Sequence, residues 1–101
     1  MPLRVRPTPL AARQIRNESR WWRANRLLAP SLFRDEMKRA FALVAEHPEI
    51  GAIAEDTEIA GVRRVLLAAT HHYLYYIVNE EAGTIDVLAV WSTSRGGGPG
   101  L

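Results

Sequence analysis

The stretch from Gly61 to Arg95, GVRRVLLAATHHYLYYIVNEEAGTIDVLAVWSTSR, most constrains the fold. It holds three runs rich in apolar, β-branched and aromatic residues, separated by short polar breaks. Runs of that length and composition read as strands, expected over about 62–68, 73–78 and 84–91. Asn79–Gly83 between the last two is a turn, with Gly83 able to take positive φ. Val87-Leu88-Ala89-Val90-Trp91 is apolar at consecutive positions and has no polar face to turn to water, so this strand belongs at the centre of a sheet.

What covers that sheet stands ahead of it in the chain. Leu3-Arg4-Val5-Arg6 alternates apolar and basic, the period of a half-exposed strand, and Pro7 ends it. Thr8-Pro9 reads as a helix N-cap followed by proline in the first turn, opening a helix from Pro9 to about Arg26. Ala11, Ile15 and Trp22 mark its apolar face, while Arg13, Arg16, Arg20 and Arg23 form a basic stripe on another. After a break at Leu27–Ser31, with Pro30 read as a first-turn residue, Phe33, Met37, Phe41 and Val44 repeat at helical spacing until His47-Pro48 stops the helix. The resulting order is β-α-α-β-β-β. We expect an α+β fold with a helical hairpin packed on a four-stranded, mostly antiparallel sheet. The first strand is expected to pair with the last as an edge. Residues 1–95 read as one domain and 96–101 as a flexible glycine-rich tail.

Composition narrows the chemistry. The chain has 101 residues and no cysteine, which removes disulfides and thiolate metal sites and makes a cytoplasmic location the expectation. No apolar run approaches a membrane span, so no membrane partner is expected. Residues 1–50 carry ten Lys/Arg against five Asp/Glu, and residues 51–101 three against six, so the basic half is N-terminal. Lys38 is the sole lysine; arginine suits bidentate recognition of carboxylate and phosphate.

The candidate residues follow from position. Arg63 and Arg64 are consecutive in a strand and point to opposite faces, and Arg95 follows the last strand. Each could meet a ligand; Arg63 or Arg64 could instead pair with an acid such as Asp86, and Arg95 could be a plain tail residue. Tyr73 and Tyr75 should share one face and Tyr76 the other. Trp21 and Trp22 lie about 100° apart on a helix, so Trp22 is expected inside and Trp21 at a boundary or exposed as an anchor. Adjacent His71 and His72 diverge, and with His47 they make no metal set. No metal and no cofactor is expected.

These residues in this order resemble the ParE/RelE superfamily of toxins from bacterial toxin–antitoxin modules. The resemblance rests on Pro48-Glu49-Ile50-Gly51, Gly61-Val62-Arg63-Arg64-Val65, Tyr73-Leu74-Tyr75-Tyr76 and Ile85-Asp86-Val87-Leu88-Ala89-Val90-Trp91, closed by Arg95-Gly96. Trp21-Trp22-Arg23-Ala24-Asn25-Arg26 looks like the first helix of a ParE-like subgroup. The resemblance implies a cytosolic toxin held inactive by a cognate, ParD-like antitoxin whose C-terminal segment wraps it. ParE-type members poison DNA gyrase. RelE-type members are ribosome-dependent endoribonucleases that set cations and a C-terminal tyrosine or histidine against the scissile phosphate. In this chain the nuclease candidates are Arg63, Arg64 and Arg95, and the target-binding candidates Arg63, Arg64, Tyr73 and Arg95. The antitoxin-binding candidates are Arg13, Arg16, Arg20, Trp21 and Arg23. Two departures favour a gyrase-directed, non-catalytic toxin over a nuclease. The segment before Val62 is acidic (Glu49, Glu55, Asp56, Glu58) and would repel RNA, and Ser92-Thr93-Ser94 stands where a nuclease would carry its base. A non-toxic member that only binds its antitoxin is a third possibility. No sequence-specific contact to DNA is expected from this chain.

Overall fold

A computed structural model describes residues 2–101. The elements run β1 (Arg4–Pro7), α1 (Pro9–Asn25), α2 (Leu32–Glu46), β2 (Ala52–Ile53), β3 (Arg63–Leu67), β4 (His72–Asn79) and β5 (Thr84–Ser92). They form one mixed sheet of order β1-β5-β4-β3-β2, in which β1 pairs with β5 in parallel and all other pairs are antiparallel. β5 is thus interior and β1 an edge, as the sequence implies. The sheet has five strands where the sequence suggested four. β2 is two residues long, too short to show any period, and exists through pairing of Ala52 with Arg64 and Ile53 with Arg63.

The helix boundaries have local causes. The Thr8 side chain accepts a hydrogen bond from Ala11 N at 3.2 Å, and Pro9 occupies the first turn where no donor is missed. α2 closes at Glu46, two residues before Pro48. Pro30 lies in the turn ahead of the N-cap residue Ser31, not in the helix as its position suggested.

Each face of the sheet is buried against a different partner. Toward the helices, Ala11, Phe33, Met37, Ala40 and Val44 pack on Leu74, Tyr76, Ile85, Val87 and Val90, with Trp22 partly buried at the margin. On the opposite face Ala54, Val62, Tyr75 and Ala89 form a smaller cluster joined by Tyr73, Trp91 and Leu101. The consecutive apolar run in β5 has a further cause besides central position. Tyr75 pairs with Ala89 but Tyr76 with Val87, so Leu88 is an extra residue in a bulge. The bulge reverses the alternation: Ile85 and Val87 face the helices before it, and Val90 after it.

The segment after α2 is pinned to the sheet by one phenol. Tyr76 OH donates to Pro48 O at 2.8 Å and accepts from Gly51 N at 2.9 Å. Arg63 adds an Nη1 bond to Gly51 O at 2.7 Å. A Cβ on Gly51 would lie 2.8 Å from the Tyr76 hydroxyl and 2.9 Å from Arg64 O, so no other residue fits without displacement. Burial raises the Tyr76 pKa, which keeps the phenol protonated and donating.

The β1 edge is fastened by Asp86. Its carboxylate accepts from Arg6 Nε at 2.7 Å, Thr84 Oγ1 at 2.9 Å and Asn79 Nδ2 at 3.2 Å. The Arg6 bond is the main cause that lowers the Asp86 pKa to about 2. Asp86 therefore serves Arg6, and neither Arg63 nor Arg64 pairs with it.

The Tyr76 anchor predicts that Tyr76→Phe lowers urea-unfolding stability by about 1–2 kcal/mol, because two buried backbone groups lose their partner. Gly51→Ala should cost about 1–3 kcal/mol from overpacking, and the double variant less than the sum, since both changes break one contact. For Asp86, a lowered folded-state pKa adds stability above the unfolded carboxylate value near pH 4, lost as pH falls toward 2. Asp86→Asn should melt below wild type at pH 7, and thermal melts should show the difference closing between about pH 4 and pH 2.

Candidate functional site

Arg63 and Arg64 do part to opposite faces. Arg63 pairs across from Tyr76, and its guanidinium is taken up by the carbonyls of Gly51 and, at 3.4 Å, Glu49. It braces the loop after α2. Arg64 lies on the other face, 4.1 Å over the Tyr73 ring, with Nη1 3.3 Å from Asp56 Oδ2. The same Asp56 oxygen accepts from Tyr75 OH at 2.5 Å. Burial, then the bond to Asp56, raises the Tyr75 pKa, so this phenol stays a donor. Tyr73 and Tyr75 share the face, 6.2 Å apart edge to face.

Tyr73 is cross-strand from Trp91, and the Arg95 guanidinium sits 4.8 Å over the Trp91 ring. Of the target-binding candidates, Arg64, Tyr73 and Arg95 therefore lie along one aromatic row, and Arg63 is apart from them. The segment expected as a flexible tail returns over this face. Pro99 is buried, Leu101 O accepts from Glu58 N at 3.0 Å, and Gly98 lies against Asp56, where a Cβ would come 3.3 Å from Asp56 O.

The basic stripe of α1 is divided. Arg16 borders an apolar groove of about 300 Å³ between the helices, floored by Ala12, Ile15, Met37 and Phe41. Arg34 and Lys38 of α2 complete its basic rim. Arg13, Arg20 and Arg23 are exposed and do not line it; Arg20 bonds Asn17 Oδ1 at 3.2 Å. Trp21 belongs elsewhere: 45% exposed, it packs edge to face on Trp22 and carries Arg26 at 4.8 Å. It borders a second cleft of about 830 Å³, between the end of α1 and the ends of β4 and β5.

The floor of that cleft holds a group the sequence did not single out. His72, 4% exposed, packs edge to face on Phe33 at 5.1 Å. Glu36 accepts from Ala69 N, Thr70 N and, at 2.6 Å, Thr70 Oγ1. Thr70 gives its proton to Glu36, so His72 Nδ1 is the donor in its 3.1 Å contact with Thr70 Oγ1. His72 Nε2 is 3.3 Å from Glu18 Oε2 without an aligned hydrogen bond and is shielded from solvent. The chain Glu36–Thr70–His72 ties α2 to the turn between β3 and β4, and Glu18 of α1 lies beside it. Among the described residues no group of His, Asp and Glu is placed to hold a metal ion, and no helix is long and apolar enough to cross a membrane. The sequence signal for His72 was its place at the start of an apolar strand; Phe33 and Glu18, which lie against it, are 39 and 54 residues away in the chain.

The fold as a whole matches known proteins. The family described as the ParE toxin of type II toxin–antitoxin system, parDE, matches residues 5–96. The isolated E. coli RelE toxin superposes with a TM-score of 0.67 at 19% identity, covering 92% of this chain and 86% of that one. The toxin–antitoxin complex RelBE of E. coli gives 0.67 at 19% identity, covering 92% and 99%. A chromosomal ParDE system from P. aeruginosa gives 0.68 at 16% identity, covering 91% and 97%. At these identities the solved structures establish the fold. No curated protein matches by sequence. With the family pattern running through all but the ends, the chain belongs to the ParE toxin family of type II toxin–antitoxin systems.

Proposed function

We propose that this toxin acts in the cytosol by binding DNA gyrase rather than by cutting RNA, and that a cognate antitoxin neutralises it. The carrying observation is the employment of the strand arginines. Arg63 is held by backbone carbonyls, and Arg64 is paired with Asp56, whose carboxylate would repel an RNA phosphate on that face. Arg95 and Tyr73 are left as contacts for a protein or protein–DNA surface. The alternative, a RelE-like ribosome-dependent endoribonuclease, would need Arg64 released from Asp56. Purified chain added to gyrase should slow supercoiling and accumulate cleaved DNA. Unaffected gyrase together with new ends in ribosome-bound messages would overturn the reading. Normal growth on induction without antitoxin would reduce the chain to an antitoxin-binding module.

The groove between α1 and α2 supports the antitoxin half of the proposal. An apolar floor rimmed by Arg16, Arg34 and Lys38 suits an amphipathic segment with acidic flanks. The RelBE and ParDE relatives were solved as toxin–antitoxin complexes or systems. Reversing the rim with Arg16→Glu plus Lys38→Glu should weaken antitoxin binding by at least about tenfold in a titration, most of all at low salt. Arg13→Glu, outside the groove, should leave affinity near wild type.

A further inference from the structure

We propose that the cleft between the end of α1 and the ends of β4 and β5 is a binding site for a nucleotide unit, with its phosphate on Arg26 and Arg95 and its base against Trp21. This site is separate from the α1–α2 groove, and the proposal does not rest on the gyrase reading. The cleft measures about 830 Å³, within the range of small-ligand sites. Both arginines line it, and each places its guanidinium carbon over an indole: Arg26 at 4.8 Å from the Trp21 ring centroid, Arg95 at 4.8 Å from the Trp91 ring centroid. An aromatic ring offers the guanidinium no strong hydrogen-bond acceptor, so the N–H fork remains available to a phosphate. Among the described residues neither arginine has a carboxylate partner.

Two further features fit a phosphate with a planar group better than a carboxylate alone. Thr93 and Ser94 add hydroxyls to the same wall, more donors than a single carboxylate can use. Trp21 offers an indole 45% open to solvent, a stacking surface for a base. The floor is also incompletely satisfied, since His72 Nε2 has no aligned partner although it is buried. Glu18, the acid of the cleft, lies 3.3 Å from His72 Nε2 and forms no ion pair with either arginine.

Of the three tryptophans, Trp21 and Trp22 line the cleft and Trp91 contacts Arg95 from the other face of the sheet, so intrinsic fluorescence reports on the site. Adenosine monophosphate and a short single-stranded oligonucleotide are titrated into the purified chain beside inorganic phosphate, adenosine and an oligo-glutamate peptide. We expect saturable quenching by a nucleotide probe, weakened about tenfold by Arg26→Gln or Arg95→Gln and unchanged by Arg13→Gln. Both arginines are exposed, and circular dichroism checks that the variants fold. Equal affinity for mononucleotide and oligonucleotide identifies a free nucleotide as the ligand, and tighter oligonucleotide binding identifies a strand. The proposal fails if neither nucleotide probe saturates, if phosphate or oligo-glutamate binds as tightly, or if both variants bind as wild type. Gyrase inhibition is scored separately, so a wild-type chain that poisons gyrase but binds neither nucleotide probe would sink this proposal alone.

Discussion

The hydroxyl of Tyr76 is the contact on which the arrangement of this small fold depends. It is buried under the helices yet satisfied on both sides, donating to Pro48 O and accepting from Gly51 N. That pair of bonds turns the chain out of α2 and delivers it to the sheet edge as β2. The same closeness admits only glycine at position 51 and recruits Arg63 to the Gly51 carbonyl. One phenol thus sets the path of the acidic loop that follows, which carries Asp56 to the opposite face.

This path decides which charges are available for function. Asp56 arrives beside Arg64 and Tyr75, and Asp86 is taken by Arg6 at the other edge. The remaining arginines lie outside these pairs. Arg16 borders the interhelical groove with Arg34 and Lys38, and Arg26 and Arg95 flank the cleft at the end of α1. The two surfaces differ in character. The groove is apolar with a basic rim, suited to an amphipathic segment. The cleft mixes polar groups with indoles over a floor held by the Glu36–Thr70–His72 chain.

Much of the fold was legible because its signals are local. Thr8-Pro9, His47-Pro48 and Gly83 are punctuation whose physics acts within a turn, and the helical spacing of Phe33, Met37, Phe41 and Val44 is a one-dimensional record of a buried face. The split of Tyr73 and Tyr75 from Tyr76 follows from strand alternation and holds in the structure. What escaped was non-local. β2 exists only through its pairing with Arg63 and Arg64, and the bulge at Leu88 depends on the register between β4 and β5. The stripe Arg13, Arg16, Arg20 and Arg23 looked uniform along the helix, but only Arg16 meets a groove, because the groove's other wall belongs to α2.

The sequence by itself determined the order of every element but β2, the hairpin-on-sheet class, the interior place of the last strand and the membership that its ordered motifs signal. Each follows from periodicity or from residues whose backbone preferences act over a few positions. The tertiary structure alone decided the fifth strand, the burial of His72, the capture of Arg63 and Arg64 for structural duty, and the return of the C-terminal residues over Asp56. Those outcomes depend on which distant carbonyl or carboxylate lies within hydrogen-bond reach. For Arg63 the partner is 12 residues away, and for Arg6 it is 80, a juxtaposition that no local preference encodes.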